Sequence, residues 1–431
     1  MKAAVWIKDD LRLEDNPAVW NAMQHADISK ILFVRSREAA ITHVRPTARR
    51  LEREEKQLRQ IEAVLERTGT RIIRTGGEAD EIVSALVEHE ITNLFANIQI
   101  GDDLGYRRDN ALIGLLGRNG IIYHETCADG ITRGTRPLPP PFVTRSSDLK
   151  PLRFATVPEA ILSLRYFLNR LPRLPYRAQM WKPGEGDKIT SRLSIDIACG
   201  ALSVDRVLHE TALAMEKSPR KKADWHQFAA RVHWRRSFVQ SFERNVDAFP
   251  WRPLSEETPD KREALQKWLH GETGYPLVDA AMAQLHQEGW TNFRMRQMVC
   301  SFAVDLLDLD PYRVGVALGE LFDDYCPGIH WMQIARQSGM MEGVGPRVVN
   351  PVKQAKDLDP KGDYVRQWLP YLPGEHQAHI FEPWKSDSYK GPSPIVHYTS
   401  AAKAARDRRD PIASKNGKRT KETKKQQLSL I

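Results

Sequence analysis

Five short runs of β-branched and aromatic residues punctuate the first third of the chain: AAVWI (3–7), ILFV (31–34), RIIR (71–74), NLFANI (93–98) and GIIYHE (120–125). Stretches with helical spacing separate them. The clearest runs from Pro46 to about Thr68, with Leu51, Leu58, Ile61 and Leu65 on one side and dense charge opposite. Alternation of this kind predicts a five-stranded parallel, Rossmann-like sheet flanked by helices. Its ligands belong beyond the carboxyl ends of the strands. The pair Gly76–Gly77 follows a strand, but no GxGxxG is present, so a turn is expected there.

The pattern changes after Cys127. RPLPPPF (136–142) is too proline-rich for regular structure and predicts a linker over 129–175 with one short helix near 157–170. From Tyr176 to about Leu369 the apolar spacing is nearly all helical. GYPLVDAAMAQLHQEGW reads as a helix opened by Pro276 and closed by Gly289, with Ala280, Ala281 and Ala283 small enough for a close neighbour. GWTNFRMRQMVCSFAVDLLDL (289–309) reads as another helix. Its Arg296 stands in an apolar stripe with Phe293, Val299, Cys300, Ala303 and Leu307. A guanidinium there must reach water or an anion. LFDDYCPGIHW supplies Asp323 and Asp324 as candidates for that anion; a metal site made by the two aspartates is the weaker alternative, since no third ligand stands at suitable spacing.

Two further segments carry candidate chemistry. TSRLS (190–194) gathers hydroxyls, an arginine and backbone N–H groups at a helix start, which suits a phosphate; two plainly capped helices would look the same. RVHWRRSFVQSFERN (231–245) interleaves aromatics with Arg231, Arg235 and Arg236. A salt-bridged surface helix explains most such patterns; a face for phosphates and an unpaired base needs the same ingredients.

Charge refines the outline. The chain of 431 residues carries +9, and from Ala401 onward ten Lys/Arg face three Asp/Glu, leaving about +2 on the rest. A basic disordered tail over 396–431 is expected. The expected division is an α/β domain over 1–128, the linker, a helical domain over 176–395, and the tail. Four scattered cysteines, Cys127, Cys199, Cys300 and Cys326, form no CxxC pair, so neither zinc nor a disulfide is expected. MKAAVWIKDD lacks the apolar stretch of a signal peptide and no run reaches membrane-spanning length, which predicts a soluble cytoplasmic protein with no membrane partner.

These segments, in this order, resemble the photolyase/cryptochrome family. The likeness runs from VWIKDDLRLEDNPAV (5–19) through TSRLS and GETGYPLVDAAMAQL (271–285) to VNPVKQAKDLDPKGDYVRQWLPYL (349–372). The resemblance implies an α/β domain followed by an all-helical domain that holds FAD non-covalently. It implies blue-light chemistry on pyrimidine dimers flipped out of DNA, or, in cryptochromes, a light signal. For the cofactor it points to Tyr176, Thr190, Ser191, Arg192, Leu193, Ser194, Arg235, Arg296, Asp323 and Asp324. For DNA it points to Arg231, Trp234, Arg235, Phe293 and Arg294, and for the photochemistry to Trp234, Arg231 and Trp331. A second, antenna chromophore of folate or deazaflavin type is left open, and a monomer acting on DNA with UV lesions is expected.

The departures from the family pattern are specific. Arg231 stands where dimer-repairing members have a glutamate, Phe293 where they have an asparagine, and Gln297 where they have a methionine. Pro327 lies near the residue that faces the flavin N5 atom. Of the usual three-tryptophan electron chain, Trp331 aligns; Pro311 takes the middle position, and the outer one near Thr258 is not aromatic. Photoreduction then needs another route, with Trp225, Trp234, Trp251 and Tyr312 as candidates. The leading expectation is a light-dependent repair lyase, its rival a cryptochrome-like photoreceptor. A nucleotide hydrolase or ligase lacks any phosphate loop or nucleophile constellation.

Overall fold

The computed structural model describes residues 2–38, 41–132, 159–219, 222–341, 348–372 and 379–416. Of the expected linker over 129–175, residues 133–158, with the proline-rich run, lie outside the described residues. Two compact units emerge, one of residues 1–177, 189–249 and 322–330, the other of residues 178–188, 250–321 and 331 onward.

The first unit is built on a parallel sheet of β1 (Ala3–Ile7), β2 (Ile31–Arg35), β3 (Ile72–Arg74), β4 (Asn93–Asn97) and β5 (Ile122–Thr126), ordered β3-β2-β1-β4-β5. All five predicted strands are present. Every residue of β1 and β4 is buried; β1 is accordingly apolar throughout, and β4 sets Leu94, Phe95 and Ala96 between the buried Asn93 and Asn97. Edge strand β5 exposes Ile122. The order reverses between β1 and β4, so a crevice opens at their carboxyl ends. Around the sheet stand α1 (Pro17–His25), α2 (Ala48–Glu66), α3 (Ala79–Glu88) and α4 (Asp103–Arg118), followed in the chain by α5 (Glu159–Arg170), close to its expected place.

In α2 the buried stripe is Arg50, Leu58, Ile61 and Leu65, not the expected Leu51, which is 43 % exposed. Leu51 lies off that face, and Arg50 is buried with its charge matched. Its Nε donates to Glu54 (2.7 Å) and its Nη1 to the Tyr325 carbonyl (2.7 Å).

The same unit contains α6 (Ser194–Ala198), α7 (Val204–Lys217) and α8 (Lys222–Asn245). A close approach fixes this group to the strand ends. Gly200 has φ +71°, and a Cβ there would lie 2.1 Å from the Asp9 carbonyl oxygen. Leu11 N donates to the Cys199 carbonyl (3.2 Å), and Arg12 Nη1 donates to the Gly200 carbonyl (3.0 Å).

The second unit is helical among its described residues: α9 (Pro259–Leu269), α10 (Pro276–Glu288), α11 (Phe293–Ser301), α12 (Pro311–Gly319), α14 (Pro351–Leu358), α15 (Asp363–Trp368) and α16 (Tyr398–Asn416). Helix α13 (Pro327–Ser338) carries the chain from the first unit into this one. Pro276 opens α10 and Gly289, with φ 64°, closes it, as expected. Ala280 and Ala281 are fully buried, and the close neighbour is α15, whose Tyr364 hydroxyl donates to Gln284 Oε1 (2.8 Å). Helix α11 starts at Phe293, four residues later than the pattern suggested, because Asn292 caps it; it then widens into a π-helical turn over Phe302–Leu306.

The tail expectation needs correction over its first part. Residues 398–416 form α16, with Ala402 and Ala405 buried. Arg409 pairs with the buried Asp305, and Arg408 Nε with Asp308 (3.0 Å). Net charge suggested disorder, but alanines at helical spacing and two acidic partners outweigh it. The remainder of the tail lies outside the described residues.

Asp279 is fully buried in α10 and accepts hydrogen bonds from Thr273 N (2.9 Å), Thr273 Oγ1 (2.6 Å) and Gly274 N (3.0 Å). Replacing it with Ala leaves two buried amides unpaired and is expected to destabilise the protein by about 3 kcal/mol in urea unfolding. Burial outweighs these bonds and pushes the carboxyl up to about 7. Its folded pKa therefore exceeds its unfolded one. The contribution is complete below the unfolded pKa and declines as pH rises through about 7. The stability of the wild type relative to Asp279→Asn should accordingly fall between about pH 4 and about pH 7 and level off above that.

Candidate functional site

In the α/β unit the 190–194 segment forms a tight turn. Arg192 takes the left-handed conformation (φ 52°), and Ser191 Oγ accepts from Leu193 N (3.4 Å). Helix α6 then begins at Ser194 with no side-chain cap. Hydroxyls of Thr190, Ser191 and Ser194 and the amides of a first helical turn thus collect at one place. This donor set suits the phosphates of a dinucleotide, so these residues fit an FAD. Leu193 is buried beneath the turn. Tyr176 is buried against Phe167 and Phe228, with ring centroids 6.0 and 6.1 Å away. Burial pushes its phenol above the usual range, so it remains an O–H donor.

Helix α8 turns Trp225, Phe228, Val232, Val239 and Phe242 inward at helical spacing. Gln240 fixes it to the segment following β5, accepting from Thr132 N (3.0 Å) and donating to its carbonyl (2.9 Å). On the outer side the Arg231 guanidinium lies over the Trp234 ring at 4.1 Å, and Trp234 is 48 % exposed. A cation and an open aromatic face are therefore presented together. Arg236 is tied to Asp205, whereas Arg235 is half-buried and lines the crevice at the strand ends.

That crevice has a charged wall. Lys8 is 1 % exposed, sits over Trp6 at 4.4 Å and lies 3.6 Å from Asp109. Arg108 covers the same indole at 4.8 Å, binds Glu38 and Asp109 at 2.9 and 2.7 Å, and lines with them a neighbouring cavity. The donors and acceptors there could hold a polar second chromophore. Nearby, His43, Asp102 and Asp103 bring possible metal-ligand atoms together, but their atoms are already engaged: Asp102 caps α4 and accepts from Thr42 Oγ1 and His43 N, and Asp103 accepts from Arg107. Asp323, one anion proposed for Arg296, accepts in this unit from Thr47 Oγ1 (2.5 Å) and Arg49 Nε (2.9 Å); Asp324 beside it is buried too.

In the helical unit a satisfied polar network sets the start of α11. The buried Asp187 accepts from Gly184 N (3.1 Å), Gln284 Nε2 (3.0 Å) and Asn292 Nδ2 (3.0 Å). Gln284 Oε1 accepts from Thr291 Oγ1 (2.9 Å) as well as from Tyr364. Asn292 Oδ1 caps the helix through Arg294 N and Met295 N. Arg296, half-buried, donates from Nε to the Thr291 carbonyl (2.8 Å), which aims its guanidinium. Phe293 meets the Trp181 ring edge-on at 5.2 Å, and Arg294 lies 5.6 Å from the Phe293 ring and 5.8 Å from Trp181. Gln297 is half-buried one residue after Arg296. Trp181 was not anticipated; its only sequence signal is an isolated tryptophan before a Pro-Gly turn.

Trp331 is 2 % exposed and packs on Trp251 and Tyr312. Structure thus singles out two of the four alternative aromatics as its ring neighbours. Pro311 opens α12 and places Tyr312 in its first turn.

A family model described as the FAD binding domain of DNA photolyase matches residues 220–410, and one described as DNA photolyase matches residues 3–133. The chain is 35% identical over 232 residues to the deoxyribodipyrimidine photo-lyase of Vibrio cholerae, covering 51% of this chain and 48% of that protein. It thus spans about half the length of that relative. With the deoxyribodipyrimidine photo-lyase of Agrobacterium fabrum it shares 25% identity over 93% of this chain and 96% of that protein. The solved structure of a Synechocystis cryptochrome matches the fold with a TM-score of 0.77 at 19% identity, covering 94% of this chain and 98% of that one.

Gly315 is the residue that admits the Trp331 ring, since a Cβ there would lie 2.4 Å from Trp331 Cζ3. Gly315→Ala is expected to cost about 1–3 kcal/mol through overpacking. Chemical denaturation, with near-UV circular dichroism to follow the indole, checks it.

Proposed function

The chain belongs to the photolyase/cryptochrome family, and on that premise we propose that it is a light-dependent DNA repair lyase. Its substrate would be DNA carrying UV-made pyrimidine dimers, and its cofactor a non-covalently held FAD. Bound and reduced, that cofactor supplies a photo-excitable one-electron donor, which suffices to open a cyclobutane ring. The chain's own part is to bind, orient and exclude water.

The observation that carries the reading is the pairing of Arg231 with the half-exposed Trp234 on α8. A base taken out of the stack needs an aromatic surface, and its flanking phosphates need cations. Phe293 and Arg294, with Trp181, offer the same combination in the helical unit. For the cofactor, Tyr176 and the Thr190–Ser194 turn would take the phosphates and ribityl hydroxyls. Arg296 would place a positive charge near the ring system and favour the negative charge gained on reduction. Asp323, Asp324 and Arg235 would complete its surroundings. The charged crevice beyond β1 and β4 is the candidate seat of an antenna chromophore.

A second reading, a cryptochrome-like photoreceptor without repair, is favoured by Arg231, Phe293 and Gln297. Each replaces a group that dimer-repairing members use against the bases. Losing a buried acceptor to a base weakens recognition by about 1–3 kcal/mol without forbidding repair. No helix among the described residues is long and apolar enough to cross a membrane.

Illumination of the reduced protein with a dimer-bearing oligonucleotide should restore the intact bases. Repair of neither cyclobutane nor pyrimidine–pyrimidone lesions, together with light-dependent protease sensitivity of the C-terminal segment, would favour the photoreceptor instead. Arg296→Leu should purify with less FAD, read as the flavin-to-protein absorbance ratio; an equally yellow variant removes Arg296 from the cofactor's surroundings. Trp234→Ala should weaken lesion-DNA binding by about 1–3 kcal/mol, measured by titration at fixed salt.

A further inference from the structure

We propose that Asp187 is the positioning residue of a base-binding face made by Trp181, Phe293 and Arg294, with Trp181 as its stacking wall. This inference rests on the DNA reading above and concerns how the helical unit takes an unpaired base. Trp181 meets Phe293 edge-on, with ring centroids 5.2 Å apart at 74°. The Arg294 guanidinium carbon lies 5.8 Å from the Trp181 centroid and 5.6 Å from that of Phe293. All three side chains are half-buried, so each keeps part of its surface at solvent. Two rings at a steep angle and one shared cation make a corner. A flat base can stack on one ring with its edge toward the other, while the adjacent phosphate meets the guanidinium.

Two chain segments far apart in sequence build this corner. Trp181 stands in a turn closed by Lys182 N on the Gln179 carbonyl (2.9 Å) and by Gly186 N on the Lys182 carbonyl (3.1 Å). A Cβ at Gly186 would lie 2.4 Å from the Gln179 carbonyl oxygen, so only glycine closes the turn this tightly. Phe293 and Arg294 stand in the first turn of α11. Asp187 holds both segments. Its Oδ2 accepts from Gly184 N, at the end of the Trp181 turn (3.1 Å), and from Gln284 Nε2 of α10 (3.0 Å). Its Oδ1 accepts from Asn292 Nδ2 (3.0 Å). Asn292 has no freedom to turn its amide over, because its Oδ1 accepts from Arg294 N (3.1 Å) and Met295 N (3.2 Å). A carboxylate that served the core alone would tie buried groups to one another. This one reaches, on two sides, backbone that carries half-buried rings and a cation.

The pairing can be exchanged between its partners. In Asp187→Asn the new amide nitrogen faces that of Asn292, donor against donor. In Asn292→Asp two carboxylates face each other. In the double variant Asp187→Asn/Asn292→Asp the amide nitrogen at 187 donates to the carboxylate at 292. The amide oxygen at 187 keeps Gly184 N and Gln284 Nε2, and the carboxylate at 292 still caps α11.

The test titrates the full chain, as purified, with a dimer-bearing oligonucleotide in the dark at fixed salt, and urea midpoints are read alongside. Each single exchange variant should bind about tenfold more weakly, and the double variant should return to within about twofold of the wild type. Trp181→Ala, which leaves the Asp187 bonds in place, should weaken binding about tenfold on its own. Added to Asp187→Asn it should weaken binding by less than about twofold more, because both act on one face. An exchange that restores the urea midpoint but not the affinity overturns the proposal, since Asp187 is then structural only. So does a Trp181→Ala variant that binds like the wild type, or a pair whose losses multiply. A wild type that binds the dimer strand but leaves it unrepaired under light overturns the lyase reading and not this face. One that binds that strand no better than intact duplex overturns both.

Discussion

The arrangement of the helical unit depends on one buried carboxylate. Asp187 accepts hydrogen bonds from a backbone amide, a glutamine and an asparagine, and each of those side chains is committed elsewhere as well. Gln284 receives Thr291 and Tyr364, and Asn292 caps α11. A network with its members bonded in this way has one low-energy arrangement, because shifting any member leaves another unpaired in a low-dielectric interior. It therefore fixes the rotation of α11 about its axis. That rotation decides where Phe293, Arg294 and Arg296 point. An apolar core of equal volume would bind the helix as tightly but would tolerate a slide along it.

A steric rather than electrostatic constraint does the corresponding work in the α/β unit. Gly200 lets two backbones approach more closely than any side chain allows, and Arg12 and Leu11 close the contact with hydrogen bonds. The turn at Thr190–Ser194 and helix α6 lie only a few residues upstream, so their position relative to the strand ends is inherited from that approach. Both units thus set their candidate ligand groups by over-determining a short backbone segment just before a helix starts.

Period and punctuation made most of the fold legible. Five β-prone runs became five strands, and Pro276, Gly289 and Glu159–Arg170 fell at or near the expected places. Errors arose where a polar group overrides the pattern. Arg50 replaces Leu51 on the buried side of α2 because Glu54 and a carbonyl match its charge. The helix over 398–416 is held because Asp305 and Asp308 receive Arg409 and Arg408, a match no local composition reveals. Site legibility was similarly divided. Arg296 stood out as a cation in an apolar stripe, but the Thr291 carbonyl that aims it and the Trp181 ring beside Phe293 depend on contacts that spacing does not encode.

Charge placement limits how this protein can meet a polyanion. Most of the excess positive charge follows Ala401, leaving about +2 on the rest of the chain, and several arginines of the α/β unit are spent on internal carboxylates: Arg50 on Glu54, Arg108 on Glu38, Arg206 on Glu210 and Arg236 on Asp205. These pairings leave fewer cations of the α/β unit for a broad electrostatic grip of the kind that carries non-specific binding. What the body offers is local: a guanidinium laid on an indole on α8, and another beside two rings at the start of α11. Such pairs hold a flat, unstacked base better than they hold a regular backbone, because stacking is strong only when the ring face is open. For the lesion-bearing DNA proposed as substrate, such pairs would favour a base that leaves its stack easily, since it recovers in stacking on the ring what an intact base pair would have to surrender.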